Sequence, residues 1–331
     1  LTMRDCYVEA FGPAVRGHGK DWLIESNRII GQQPDGTPGG TEAAVLLSTA
    51  PLPEVEPATG IVVRANRIIG FPVGVEATVH GTYPGVLVEG NDVRDCPVGV
   101  FLRYGGVVRR NRITGASTLG VRTTTSSTNP VGVIEDNEFV SCNNPIVAAA
   151  QGVPVAVRNN RGRGCTGTLH VPRNFEAQLY TADGSDITHN AIEGVWIDAR
   201  EHLNCDFTGC RVWGVTQRGI WCGAGSVLVG VQVETSATGV EAVEVAAGAG
   251  VSRVSGSSIK GGSQGLRLRS PALVTGCRIT GANFFGVNIA AGGEASVVVG
   301  NDLAGNNSGA VGGTTTSAVV ASNLPAPPPV E

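Results

Sequence analysis

The 331-residue chain is poor in aromatic side chains, at 5%, and in charge, at 16%. Lysine and arginine number 24 against 28 aspartates and glutamates, a formal net charge of −4. No basic field is present to draw in nucleic acid. No segment approaches the roughly 18 apolar residues that a membrane-spanning helix requires. Eight cysteines occur, yet none falls in a Cys-x-x-Cys spacing, so the pattern of a zinc site is missing. Neither a metal nor a cofactor is expected. Long stretches of helical periodicity are also missing. The 48 glycines and 18 prolines interrupt apolar runs that are short and β-branched, which excludes a helical repeat.

What the chain does have is a repeat. Asn-Arg-Ile-Ile-Gly occurs at Asn27–Gly31 and again at Asn66–Gly70. Related segments begin at Asn91, Asn111, Asn137 and Asn301, and degenerate ones at Cys6, Asn160, Cys205, Ser257 and Cys277. Nine or ten residues after most of these comes a Gly-Val-like pair. Its apolar member is Val75, Val100, Val121, Ile146, Leu169, Val195, Ile220, Val240, Leu266, Val287 and Ala310, and the same offset from Cys6 points to Val15. The ten steps from Val75 to Ala310 average 23.5 residues. After each pair the side chains alternate, which sends one set inward and the other to solvent. Three short strands with their turns use roughly 20–25 residues, so the period predicts a parallel β-solenoid in which one coil buries the next. The Asn residues are expected to stack at a turn and satisfy one another's amides, as scaffold and not as catalysts. The Asn marker slips around Asn190 and Cys205, which predicts a loop rearrangement near 185–220.

The Asn-x-Ile-x-Gly repeat followed by Gly-Val resembles the right-handed parallel β-helix proteins, a group that includes pectate lyases, polygalacturonases, carbohydrate epimerases and phage tailspikes. The resemblance spans about residues 1–322 and is specific for fold rather than function. It implies an all-β, single-stranded right-handed parallel β-helix of about twelve or thirteen coils, with residues 323–331 as a Pro-rich tail. Leu1 to Cys6 aligns with later strands, so residue 1 is expected inside a coil of a mature or excised form. Its N-terminal cap would be absent or supplied from elsewhere.

The cysteines follow the repeat. Cys96, Cys142, Cys165 and Cys210 lie five residues after a marker position, and Cys6, Cys205 and Cys277 occupy the marker itself. They are expected as buried ladder residues acting as small hydrophobes, with a Cys142–Cys165 disulfide as the alternative. Segments 31–41 and 48–59 are Pro/Gly-rich insertions that either wall a groove or decorate the surface. Thr123–Thr128 is rich in Thr and Ser, but Thr-x-Thr does not recur on successive rungs as an ice-binding face would need.

Function is sought where the repeat is broken. Region 172–222 holds Trp196, Trp213 and Trp221 with His189, His202, Asp183, Asp186, Asp198, Arg200, Glu201 and Asp206. Taken rung by rung, the first outward residues are Glu76, Phe101, Arg122, Val147, His170, Trp196, Trp221, Glu241, Arg267 and Asn288. With coils about 4.8 Å apart, His170, Trp196 and Trp221 are expected as neighbours, with Arg122 and Glu241 on the same face. Asp198 and Arg200 should point the way Trp196 does. An indole covers the apolar face of a pyranose, and carboxylates and guanidinium groups bind hydroxyls or uronates. Packing beneath the neighbouring loop is the competing account.

As an enzyme, such a face would use Asp198 with Glu201 or Glu241 as a glycosidase carboxyl pair. A lyase would instead use Arg200, Arg122 and His170 around a uronate. Val195-Trp-Ile-Asp198 is similar to the Val-Trp-Ile-Asp-His segment of pectate lyases, but Ala199 stands where that segment has His. Polygalacturonase-type Asn-Thr-Asp and Gly-His-Asp motifs are absent. Two classes therefore stay open. One is an extracellular or virion-associated protein that recognises polysaccharide or a cell-surface glycan, similar to a tailspike shaft or a bacterial surface protein, with a homotrimer or a larger virion assembly as the expected alternatives to a single chain. The other is a polysaccharide lyase or glycoside hydrolase acting in the same groove.

Overall fold

A computed structural model of the chain describes residues 1–17, 21–31, 39–48, 60–78, 85–103, 105–124, 132–149, 154–171 and 184–324. Most of both insertions, Asp183, the second half of the Thr/Ser stretch and the residues from 325 onward lie outside that set. The chain forms two compact units, Leu1–Tyr180 and Thr181–Glu331. The described residues are all-β, and each unit is a parallel β-solenoid. In the first unit strands repeat in the order A, B, C; in the second, isolated bridges at Asp206 and Asp302 stand in for one sheet A strand and one sheet B strand; paired strands are parallel and one coil apart. In the first unit, sheet A runs from Thr2–Arg4 to Ala156–Arg158, sheet B from Tyr7–Ala10 to Arg161–Arg163, and sheet C from Val15–Gly17 to Thr168–His170. In the second unit, the same three positions run from Val227–Val229 to Val319–Ala321, from Ala191–Ile192 to Arg278–Thr280, and from Trp196–Ala199 to Gly309–Gly313.

The predicted inward column of the first unit is present. Val15, Val45, Val75, Val100, Val121, Ile146 and Leu169 pair in register along sheet C, and all are buried. Each such burial is worth about 1.5–3 kcal/mol, so the alternation alone drives the coils to stack. The glycine of each Gly-Val pair has a steric cause. A Cβ at Gly74, Gly99 or Gly120 would sit 2.6, 2.5 or 2.4 Å from a carbonyl oxygen of the next coil.

The Asn ladder is likewise formed. Asn27, Asn66, Asn91, Asn111 and Asn137 each donate Nδ2–H to Oδ1 of the next member, at 2.9–3.1 Å, ending on Asn160. Each of Asn66 to Asn160 also donates to a buried carbonyl of the preceding coil, such as Val63 O from Asn91. The residue before each Asn is left-handed, with Ala65 at φ 54° and Arg110 at φ 55°. That tight turn aims the Asn side chain inward.

The second unit corrects the predicted register in the Asn column and in the sheet C column. The Asn column there is Asn190, Cys210, Val231, Ser257, Cys277 and Asn301. Arg211 N bonds Asn190 O, and Gln232 N bonds Cys210 O. Cys205 instead precedes a sheet A position, where Val227 N bonds its carbonyl. Both Cys205-Asp-Phe-Thr-Gly and Cys210-Arg-Val-Trp-Gly fit the repeat pattern, and only the fold chooses between them. Asn190 keeps its place in the column, with Ile197 seven residues after it instead of the usual nine or ten. The ladder cysteines are also more than small hydrophobes. Cys210 Sγ donates to Ile187 O at 2.8 Å and Cys277 Sγ to Val254 O at 3.5 Å, one coil back, as the asparagines do. All eight cysteines are free, and only Cys6 is exposed.

The inward column of sheet C in the second unit is Ile197, Ile220, Val243, Leu266, Val287 and Val311. It therefore begins at Ile197 rather than Val195, passes through Val243 rather than Val240, and ends at Val311 rather than Ala310. Val195, Ile197 and Ala199 are all buried, because a pleat of period two sends alternate residues inward. Alternation cannot say which of them faces Ile220. The dipeptides Gly194-Val195 and Gly239-Val240 imitate the corner, whereas the corner itself is made by Trp196-Ile197 and Ala242-Val243.

Candidate functional site

The corrected register changes which residues meet on the outward face of sheet C. In the second unit the paired column is Asp198, Trp221, Glu244, Arg267 and Asn288. Trp196 sits at the corner two residues before Asp198 and is half-buried, and Glu241 lies just ahead of the strand Val243–Val245. The structure thus brings Asp198, Arg200, Trp221 and Glu241 into one network, together with Arg218, Glu244, Arg267 and Arg269. Glu201 is exposed in the turn that follows Arg200.

The network has a definite construction. Arg200 grips Asp198 through Nε at 3.0 and 3.2 Å and Nη2 at 2.7 Å. Its guanidinium carbon lies 3.5 Å from the centre of the Trp221 indole, and that of Arg218 lies 4.0 Å from the same ring. Arg218 then bonds Glu241 Oε2 through Nη2 at 2.9 Å. Arg267 bonds the other oxygen of Glu241 at 2.7 Å. Arg269 stands 3.5 Å from Glu244 Oε1. Arg218 Nη2 is also 3.0 Å from Glu244 Oε2. That contact is an ion pair off hydrogen-bond alignment, because Glu244 Oε2 has no hydrogen-bond partner among the described residues.

Three carboxylates here are nearly inaccessible: Asp198 is 3% exposed, Glu241 5% and Glu244 1%. Burial pushes Glu241 up, but a backbone hydrogen bond and the arginines outweigh it and hold the carboxyl below the usual range. Burial pushes Glu244 up as well; Arg218 opposes this, the charge of Glu241 adds to it, and the net shift is upward. Since Arg218 Nη2 touches both, the two acids are no more than about 5.9 Å apart, the limit set by legs of 2.9 and 3.0 Å.

Several expectations take a different form. Trp221 appears in the sequence as an open platform for a sugar ring. In the structure its indole is engaged by two guanidinium groups, a cation–π contact worth roughly 0.5–2 kcal/mol for each. Asp198 points outward as predicted but is chelated by Arg200, which lies two residues on and carries no signal in the repeat. Arg122 is exposed, with its guanidinium 5.3 Å from the Phe101 ring. His170 is half-buried and pairs with Val147. Both belong to the first unit, in the column Glu76, Phe101, Arg122, Val147, His170 that the sequence predicts. Trp213, grouped with Trp196 and Trp221 by sequence region alone, belongs to sheet B.

Arg218, Glu244 and Arg269 went unrecognised at the level of sequence. Correct placement of Val243 would have found Glu244 as the outward residue opposite Trp221. Among the described residues, no three His, Cys, Asp or Glu side chains converge as a metal would require. Among the same residues, no helix is long and apolar enough to cross a membrane. Compared with protein-family models, with curated proteins and with solved structures, the chain matches none.

Proposed function

We propose that this chain is an extracellular or virion-associated β-solenoid that recognises polysaccharide along the outward face of sheet C in its second unit. One observation carries the proposal. Four arginines, Arg200, Arg218, Arg267 and Arg269, are held on that face by three buried carboxylates and an indole. Each guanidinium has five N–H donors, and its internal partner uses only some of them. The remaining donors are already oriented, so a glycan that accepts hydrogen bonds from them avoids the roughly 0.5–1.5 kcal/mol that ordering each free side chain costs. Rungs about 4.8 Å apart repeat these donors at a spacing comparable to one sugar ring, which suits an extended polymer. Polysaccharide affinity electrophoresis tests this. Arg218→Met with Arg267→Met should weaken retention at least tenfold without any cleavage by the parent protein; unchanged retention would sink the proposal.

A second reading, a glycoside hydrolase or polysaccharide lyase in the same place, has one observation in its favour. Glu241 and Glu244 lie within the span of a carboxyl pair, and their pKa values are pushed in opposite directions. Against it, both acids are buried beneath arginines, and a general acid must reach its substrate. Release of reducing ends or of unsaturated product, abolished by Glu244→Gln, would favour the enzyme over the binding protein.

A further inference from the structure

The outward face of sheet B in the second unit carries a hollow of about 130 Å³ lined by Arg211, Trp213, Gln232, Glu234, Ser258 and Lys260. It draws on three successive coils. Arg211 pairs with Gln232, Gln232 with Ser258, and Glu234 with Lys260. The backbone is specialised at this point. Val212 pairs with Val233 but Val215 with Thr235, so one residue is extra, and among the described residues this is the one register shift between paired strands. Gly214 supplies the left-handed turn at φ 69°. Trp213 stands two residues after outward-facing Arg211, so the pleat keeps it on the same face at the hollow, with the Arg211 guanidinium 4.6 Å from the indole centre, and the extra residue enters between Val212 and Val215.

We infer that this hollow is a binding subsite for a single pyranose unit carrying a negative charge, separate from the sheet C face. Its volume is well below the roughly 300–1,000 Å³ of drug-sized pockets, which suits one ring and not an oligosaccharide. Trp213 supplies an apolar wall that matches a pyranose C–H face. Gln232 and Ser258 supply neutral donors and acceptors for hydroxyls. The sign of the charge follows from the lining: two cations, Arg211 and Lys260, against one carboxylate, Glu234. Lys260 Nζ is 2.7 Å from Glu234 Oε1, but the two side chains are 64% and 60% exposed. Exposed pairs of this kind are weak, so an anionic substituent can compete for Lys260. Carboxylated and sulfated sugars share this chemistry.

Calorimetric titration of the whole chain with three short probes tests the inference: oligogalacturonate, sulfated galactan oligomer and neutral galactan oligomer. At least one anionic probe should bind roughly tenfold more tightly than the neutral one, and the two anionic arms identify the preferred charge. Trp213→Ala and Lys260→Gln should each weaken that probe about tenfold. Glu234→Gln should tighten it several-fold by removing the competing carboxylate, a gain that mere structural damage does not produce. Arg218→Met on the sheet C face should leave the affinity unchanged, which separates this site from the proposal above. The inference is overturned if no probe binds, if the neutral oligomer binds as well as the charged ones, or if Trp213→Ala, with its circular dichroism unaltered, binds within twofold of the parent.

Discussion

Replacing Asn91 tests whether the ladder is the scaffold its geometry implies. Its side chain donates to Asn111 Oδ1 at 2.9 Å, Val63 O at 2.9 Å and Glu89 O at 3.2 Å, and accepts from Asn66 N at 2.9 Å and Asn66 Nδ2 at 3.0 Å. Asn91→Ala removes all five, but not all five partners are stranded. Asn66 Nδ2 keeps Ile24 O and Arg64 O, and Asn111 Oδ1 keeps the backbone N–H of residue 91. The uncompensated loss centres on the buried Asn66 N–H, which costs about 1–3 kcal/mol when left unpaired, while Val63 O, inside a paired strand, loses one of its hydrogen bonds, worth about 1 kcal/mol. The expected destabilisation is therefore roughly 2–4 kcal/mol. Asn91→Asp should be worse at pH 7. It keeps the acceptor for Asn66 but turns a donor into a buried acceptor facing Val63 O and Asn111 Oδ1. Burial raises the folded-state pKa of that new carboxyl above its unfolded value, so the deficit should shrink as pH falls toward 4. Urea unfolding followed by circular dichroism gives the magnitude. Hydrogen exchange should show the loss concentrated in neighbouring coils, as a repeat with nearest-neighbour coupling requires. A cost below about 1 kcal/mol for Asn91→Ala, or Asn91→Asp no worse than Asn91→Ala at pH 7, would refute the argument.

Other consequences are equally direct. Arg200→Met should destabilise the second unit by on the order of 3 kcal/mol by leaving Asp198 buried with its chelating partner gone, and adding Asp198→Asn should recover most of it; additive losses in the double-mutant cycle would contradict the coupling. Carboxyl NMR titration should find Glu244 above and Glu241 below the ordinary glutamate range. By linkage, the stability from Glu241 is present above its unfolded pKa and lost as pH falls through the lower folded value, whereas the Glu244 contribution improves as pH falls through its raised one; the reverse order would show that the arginines are misassigned. In the native protein a thiol reagent should modify Cys6 rapidly and the other seven cysteines only in denaturant, and a second fast thiol would contradict their burial. Burial also pushes Cys96 up to about 11 and Cys210 up to about 12, so neither is a thiolate at neutral pH.

The first unit is legible in detail because its corner is a glycine in three successive coils, Gly74, Gly99 and Gly120, and its ladder is asparagine from Asn27 to Asn160. Those residues are dictated locally: the glycine by a carbonyl 2.4–2.6 Å from where its Cβ would be, the asparagine by buried amides on either side. In the second unit the same positions are filled by Trp196 and Ala242 at the corner and by Cys210, Val231 and Ser257 in the ladder. Look-alike dipeptides at Gly194 and Gly239 then draw the register two or three residues off. Misplacing Val243 hid Glu244, and with it the carboxylate that pairs with Arg218.

By itself the sequence determines that this chain coils and, in the first unit, which side chains of sheet C turn inward, because period and alternation are properties of one strand and its immediate turn. Which outward residues touch is decided only by tertiary structure. The two-residue shift from Val195 to Ile197 keeps both side chains buried and costs little in the pattern, yet it exchanges their cross-coil neighbours, and the three-residue shift from Val240 to Val243 also reverses which side chains face out. That is why Trp221 meets two arginines instead of an open groove, while Trp213 lies on a strand of a different sheet, sheet B.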